Sequence, residues 1–189
     1  MIAIRLLLIF TLAGVLFPPT IATALELKQN DHIAIIGNAL PDRMQHDGWL
    51  ETYLQCAHPD KSLVIRNLGF TGDEIAIRPR NKDFKNEHDY LTHVEADVIF
   101  AFFGYNESFR KDPKDFRDQI TDFIEDIQTR NYNGESAPRL VLFSPIPVEN
   151  LGSPNLPDGA ARNEWLSTYS DAMASVARRM RVEFIDLYY

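Results

Sequence analysis

Five short apolar runs punctuate the chain, each stopped by a turn residue. Ile33-Ala34-Ile35-Ile36 runs into Gly37, and Leu63-Val64-Ile65 closes at Asn67-Leu68-Gly69. Val98 to Phe103 is stopped by Gly104, and Leu140-Val141-Leu142-Phe143 ends at Ser144-Pro145. A fifth run spans Val182 to Leu187. Runs that are β-branched or aromatic and apolar on both faces suit a parallel sheet covered by helices on each side.

The segments between them repeat at helical spacing. Phe116, Ile120, Phe123, Ile124 and Ile127 recur at intervals of three and four, behind Asp112-Pro113 as a helix start. Trp165, Leu166, Tyr169, Met173, Val176 and Met180 form a second stripe, and Trp49, Leu50, Tyr53 and Leu54 a shorter one. These stripes are expected to be core rather than a cofactor box. Thr71 to Glu87 has no period and reads as a long loop on the functional face. Residues 145–160, with four prolines, form a second irregular crossing. The expectation is one α/β domain built on a doubly wound, mostly parallel five-stranded sheet with helices on both faces. Ligands of such sheets bind beyond the carboxyl ends of the strands. Three polar, Gly-containing turns converge there: Gly37-Asn38-Ala39-Leu40, Asn67 to Glu74, and Gly104 to Ser108.

Composition narrows the partners. The chain has 189 residues, 45% hydrophobic, with a net charge of −8. That apolar content supports a folded core, and the acidic balance argues against binding a nucleic-acid backbone. Residues 1–24 show a basic start at Arg5, an apolar run from Leu6 to Phe17 and small residues at Ala22-Thr23-Ala24. This is the layout of a secretory signal peptide cleaved near Ala24. The run has 12 residues, whereas spanning a bilayer takes about 20. The mature chain, residues 25–189, is therefore expected to be secreted or periplasmic, with no membrane span. Its single cysteine, Cys56, has no disulfide partner within the chain and is expected as a buried helix side chain.

The three turns carry a resemblance. From about Asp31 to Leu187 the chain resembles the SGNH hydrolases, the GDSL family of esterases and lipases, whose fold is flavodoxin-like. In that family the first strand ends in Gly-Asp-Ser-Leu, whose Ser is the nucleophile. A Gly in the second motif and the Asn of Gly-x-Asn-Asp in the third supply oxyanion-hole donors. A C-terminal Asp-x-x-His supplies the acid and the base. The resemblance places Gly72 and Asn106 on the two donors, with Glu107 standing for the Asp of the third motif. Asn38 takes the Asp position of the first motif, beside the crevice, and Ala39 takes the nucleophile position. A methyl group cannot attack a carbonyl, and losing a serine nucleophile costs on the order of a million-fold in turnover. No Asp-x-x-His follows the fifth run, after which come Tyr188-Tyr189. The domain is thus expected to lack the family's C-terminal segment.

Other residues compete for roles. His46 lies on the segment leaving the first motif and would share a face with Arg43 if that stretch is helical; the alternative is an exposed helix histidine. His88 and His93 have the wrong spacing for a helical metal pair, and no metal or cofactor is expected. Thr71 and Ser108 are hydroxyls of turn residues. Asn106 could simply accept positive φ, and Gly72 could be an ordinary turn glycine. Arg78 and Arg80 read as a solvated loop, and the acidic run over 107–126 as the wet side of a helix. Three functional expectations follow. The first is an esterase-like domain whose crevice suits acyl-ester or O-acetyl carbohydrate ligands, without a recognisable serine triad. The second is a non-catalytic ligand- or carbohydrate-binding module on the same fold. The third is a truncated fragment of a longer esterase. Nothing in the sequence speaks to oligomeric state.

Overall fold

The computed structural model describes residues 25–81, 84–156 and 158–189. Residues 1–24, where the export signal is expected, lie outside the described residues. Five strands form one sheet: β1 (His32–Gly37), β2 (Val64–Asn67), β3 (Val98–Phe102), β4 (Arg139–Phe143) and β5 (Glu183–Ile185). The order is β2-β1-β3-β4-β5 and every pairing is parallel. Ile33 faces Val98 and Phe102 faces Phe143 across the central pairs. Every residue of β3 is buried, as a central strand covered on both faces requires.

Five helices cover the sheet: α1 (Ala39–Met44), α2 (Trp49–Ala57), α3 (Glu87–His93), α4 (Pro113–Gln128) and α5 (Ala160–Met180). On one face Ala34, Ile36, Ile99, Ala101 and Phe103 pack with Phe116, Ile120 and Ile124 of α4 and Tyr169 and Met173 of α5. Asp112 begins α4 by accepting from the backbone N–H of Lys114 at 3.2 Å and Asp115 at 3.0 Å. Its own N–H donates to the Tyr169 hydroxyl at 2.9 Å, so the start of α4 is tied to α5. The Phe116 and Tyr169 rings lie 4.6 Å apart.

On the other face Ile33, Ile35, Val98, Phe100, Phe102 and Phe143 pack under Leu40 and Met44 of α1, Leu50 and Leu54 of α2, and Leu187. Here the helical stripe misleads. α2 has no buried residue; Trp49 is 66% exposed and Tyr53 68%, their rings 6.4 Å apart. Cys56 is exposed as well. The expectation of core residues fails because α2 touches the sheet only through Leu50 and Leu54. α3 was not expected; Asn86 accepts from the Asp89 N–H and Asp89 from the Asn86 N–H, a reciprocal cap that starts it.

The amino edge of the sheet is knit by charged side chains. Asp97 accepts from the His32 N–H at 2.8 Å and from Asn133 Nδ2 at 2.6 Å. The Arg139 guanidinium holds both the buried Asp31 carboxylate and the Glu26 carbonyl. Among the described residues no helix is long and apolar enough to cross a membrane.

Candidate functional site

The carboxyl edge is built from the three turns. β1 leaves past β3 so closely that a Cβ on Gly37 would sit 2.1 Å from the Phe102 carbonyl oxygen, and φ there is +134°. Only glycine fits. Asn38 then donates its N–H to the Phe102 carbonyl at 3.3 Å, and its own carbonyl accepts from the Asp42 N–H at 3.2 Å. The Asn38 side chain is 3% exposed, and its Nδ2 has no hydrogen-bond partner among the described residues.

The second turn is stapled to the first. Phe70 donates its N–H to the Gly37 carbonyl at 2.9 Å, and Asn67 Nδ2 donates to the Pro41 carbonyl at 2.8 Å. Thr71 gives both its N–H and its hydroxyl to the Asp42 carboxylate. The hydroxyl bond is the main reason that carboxyl lies below its ordinary pKa. Gly72 follows with φ +97°, a backbone state that favours glycine.

The third turn is bound to the second through side chains. Asn106 Nδ2 donates to the Asp73 carbonyl at 3.3 Å. Glu107, 2% exposed, accepts from the Ile75 N–H at 2.9 Å and the Gly104 N–H at 2.8 Å. Burial pushes its carboxyl above the ordinary pKa, against the lowering effect of those donors. Arg110 and Glu74 pair at 2.6 Å across the same seam. Asn106 has φ −68°, so positive φ does not explain this asparagine.

Beside this seam a cavity of about 360 Å³ opens at the ends of β1, β3 and β4. Ala39, Leu40, Phe102, Phe103, Ile146 and Val148 supply apolar wall. Asn38, Arg43, Tyr105 and Ser144 are its polar lining residues. Ser144 is buried; its hydroxyl accepts from the Leu187 N–H at 2.7 Å and lies 3.3 Å from Asp186 Oδ1.

The structure thus brings Asn38 and Ala39 to the cavity, and joins Gly72 and Asn106 through Asp73 beside it. Neither Gly72 nor Asn106 is among the lining residues. His46 is exposed and outside the lining, with its N–H on the Arg43 carbonyl at 3.0 Å. Because α1 ends at Met44, His46 shares no helical face with Arg43. Thr71 and Ser108 use their hydroxyls locally, on Asp42 and on the Tyr105 carbonyl.

Two further sequence expectations need correction. Arg78 is not a solvated loop side chain: it is 8% exposed, pairs with Glu87 at 2.8 Å and lies 4.5 Å from the Phe103 ring centroid. The Arg80 side chain lies outside the described part. Glu107 is not on the wet side of a helix, because its carboxylate is consumed by two backbone donors. His88 bonds to the Tyr132 hydroxyl at 2.8 Å and faces Asp126 at 3.2 Å. Among the described residues no group of three His, Cys, Asp or Glu side chains could hold a metal ion. Sequence reasoning gave Glu107 no structural task and passed over Ser144. The signal for Glu107 was its place after Asn106; for Ser144 it was the polar end of an otherwise apolar strand.

The sequence model of the GDSL-like lipase/acylhydrolase family matches residues 42–189. No curated protein matches the chain. Among solved structures, a gut microbial diltiazem-metabolizing enzyme is similar with a TM-score of 0.61 and 18% identity over 88% of the chain. The chain spans only 39% of that protein's length. An acetyl xylan esterase from Geobacillus stearothermophilus is similar with a TM-score of 0.60 and 11% identity, over 86% of this chain and 78% of that one. A carbohydrate acetylesterase from Sinorhizobium meliloti gives 0.57 and 15%, over 83% and 84%. At these identities the structural likeness concerns the fold.

Proposed function

The chain belongs to the GDSL-like lipase/acylhydrolase family, and from that premise we propose a secreted, esterase-like domain whose crevice receives acyl-ester or O-acetyl carbohydrate groups. The observation that carries this reading is the seam between Gly72-Asp73 and Asn106, closed by Asn106 Nδ2 on the Asp73 carbonyl and by Glu107 on Gly104 and Ile75. In this reading the Gly72 N–H and the Asn106 amide are donors for a ligand carbonyl oxygen. Donors set in advance stabilise charge that develops on such an oxygen. Two fold neighbours bear the descriptions acetyl xylan esterase and carbohydrate acetylesterase, which favours an acetylated carbohydrate as the ligand.

Ala39 supplies no nucleophile, so serine-triad turnover at this position is not part of the reading. The same side chain favours a second reading, recognition of the ligand without turnover. Purified mature protein and an Asn106→Ala variant, each given p-nitrophenyl acetate, separate the two. Cleavage that falls in the variant supports an esterase. No cleavage by either, together with heat on titrating acetylated glycans, supports a binding module. Silence in both assays would sink the ester reading. An Ala39→Ser change is expected to restore little activity, because a serine hydroxyl without a base stays a weak nucleophile.

A further inference from the structure

The turn that carries Asn106 is gripped from behind by a side chain with no part in the reading above. Arg162 stands in the first turn of α5. One of its Nη groups donates to the Tyr105 carbonyl at 2.7 Å and to the Ser108 hydroxyl. That hydroxyl donates to the same carbonyl at 2.5 Å. The two acceptors thus bracket Asn106 along the chain. The guanidinium carbon sits 3.4 Å from the Phe109 ring centroid and 5.2 Å from that of Tyr105. Phe109 is 62% exposed, so its ring covers the cation instead of joining the core.

Stability alone does not account for a cation in this place. The amino end of a helix carries partial positive charge and disfavours another. No carboxylate pairs with Arg162 among the described residues. Its Nε is buried without a hydrogen-bond partner among them, and desolvation holds its pKa below the ordinary arginine value. A half-buried charge with no counter-ion is costly. What the guanidinium gains is directional: a planar donor stacked on a ring fixes two acceptors at once. Asn106 depends on such a hold, because its own tie, Nδ2 to the Asp73 carbonyl, is long at 3.3 Å.

We propose that Arg162 is a positioning residue for Asn106: it locks the peptide groups on either side of that residue, so that the amide keeps one orientation toward a ligand carbonyl. The inference rests on the reading of Asn106 as a donor, and adds the α5 side chain that makes the donor rigid.

The test is read on Asn106 itself, by NMR of the full chain labelled with nitrogen-15. The Asn106 side-chain signal is the one missing from the Asn106→Ala variant. In Arg162→Met its amide protons should exchange with water about tenfold faster, the size of one lost hydrogen bond. The side-chain amides of Asn67 and Asn133, bonded at 2.8 Å to Pro41 and 2.6 Å to Asp97, should not change. A merely structural role would lower the melting temperature and leave Asn106 exchange in the folded protein where it was. Arg162→Lys keeps the charge without the fork and should fall between the two; it carries the test should the Met variant not fold. Unchanged Asn106 exchange in a folded variant, or equal acceleration at all three asparagines, overturns the inference. The p-nitrophenyl acetate assay fails or succeeds separately, since the NMR signal requires no turnover. Silence there sinks the ester reading and leaves the grip on Asn106 standing.

Discussion

The two faces of the sheet are filled from similar sequence patterns with opposite results. On one, α4 and α5 bury Phe116, Ile120, Ile124, Tyr169 and Met173 completely, and even a hydroxyl such as Tyr169's finds a backbone partner. On the other, α1 is six residues long, α2 has no fully buried residue, and a cavity remains beyond Phe102. Close packing is therefore concentrated away from the candidate site. The difference teaches that an apolar stripe fixes which side of a helix could be core, while length and approach to the sheet decide whether it becomes core.

The largest expected effect tests that asymmetry directly. Phe116→Ala removes a fully buried ring and should cost about 3–5 kcal/mol in chemical denaturation. Leu54→Ala on α2 should cost about 1 kcal/mol, because the side chain is only half-buried. Comparable losses from the two would erase the contrast between the faces.

A smaller effect is expected at the seam. Glu107→Gln keeps one acceptor where the carboxylate offers two, and should cost about 1–3 kcal/mol. The pH dependence has a definite sign. A carboxyl whose folded pKa is raised contributes stability that is fully present below its ordinary pKa and is lost as pH rises through the folded value. The gap between native protein and variant should thus be widest in acid and narrow as pH increases. Denaturation curves across the acid range would show it, and a gap that widens with pH would contradict the burial of Glu107.

The smallest effect belongs to Trp49. Trp49→Ala should change stability by no more than about 0.5 kcal/mol, since the ring rests on Tyr53 and solvent. A loss of several times that would mean that α2 is buried in a way the contacts do not record.

The strands and the two long helices were legible because their patterns are long, regular and locally capped. Asp112-Pro113 marks the start of α4 in the sequence and caps it in the structure. The place of the site was legible too, since Gly37 and Gly104 stop apolar runs where the chain must turn. What stayed hidden depends on contacts between distant turns. The burial of Glu107 follows from Ile75, 32 residues away, needing an acceptor. Arg78 looked like a loop cation because its partner Glu87 and the Phe103 ring meet it only in the folded chain. Trp49 and Tyr53 share the spacing of core residues, and no local signal reveals that the sheet is out of their reach.

The Arg139 latch at the amino edge carries a kinetic consequence. It joins Asp31 to a residue 108 positions later, and β1 itself lies between β2 and β3 rather than beside a hairpin partner. Parallel pairings between strands far apart in sequence form slowly, because long loops must close before any contact rewards them. β1 itself can pair once β2 and β3 exist, but the segment that leads into it waits for β4. Until β4 is synthesised the segment around Leu25 to Asp31 lacks the guanidinium that holds it, so the amino edge closes only after the centre of the sheet is in place.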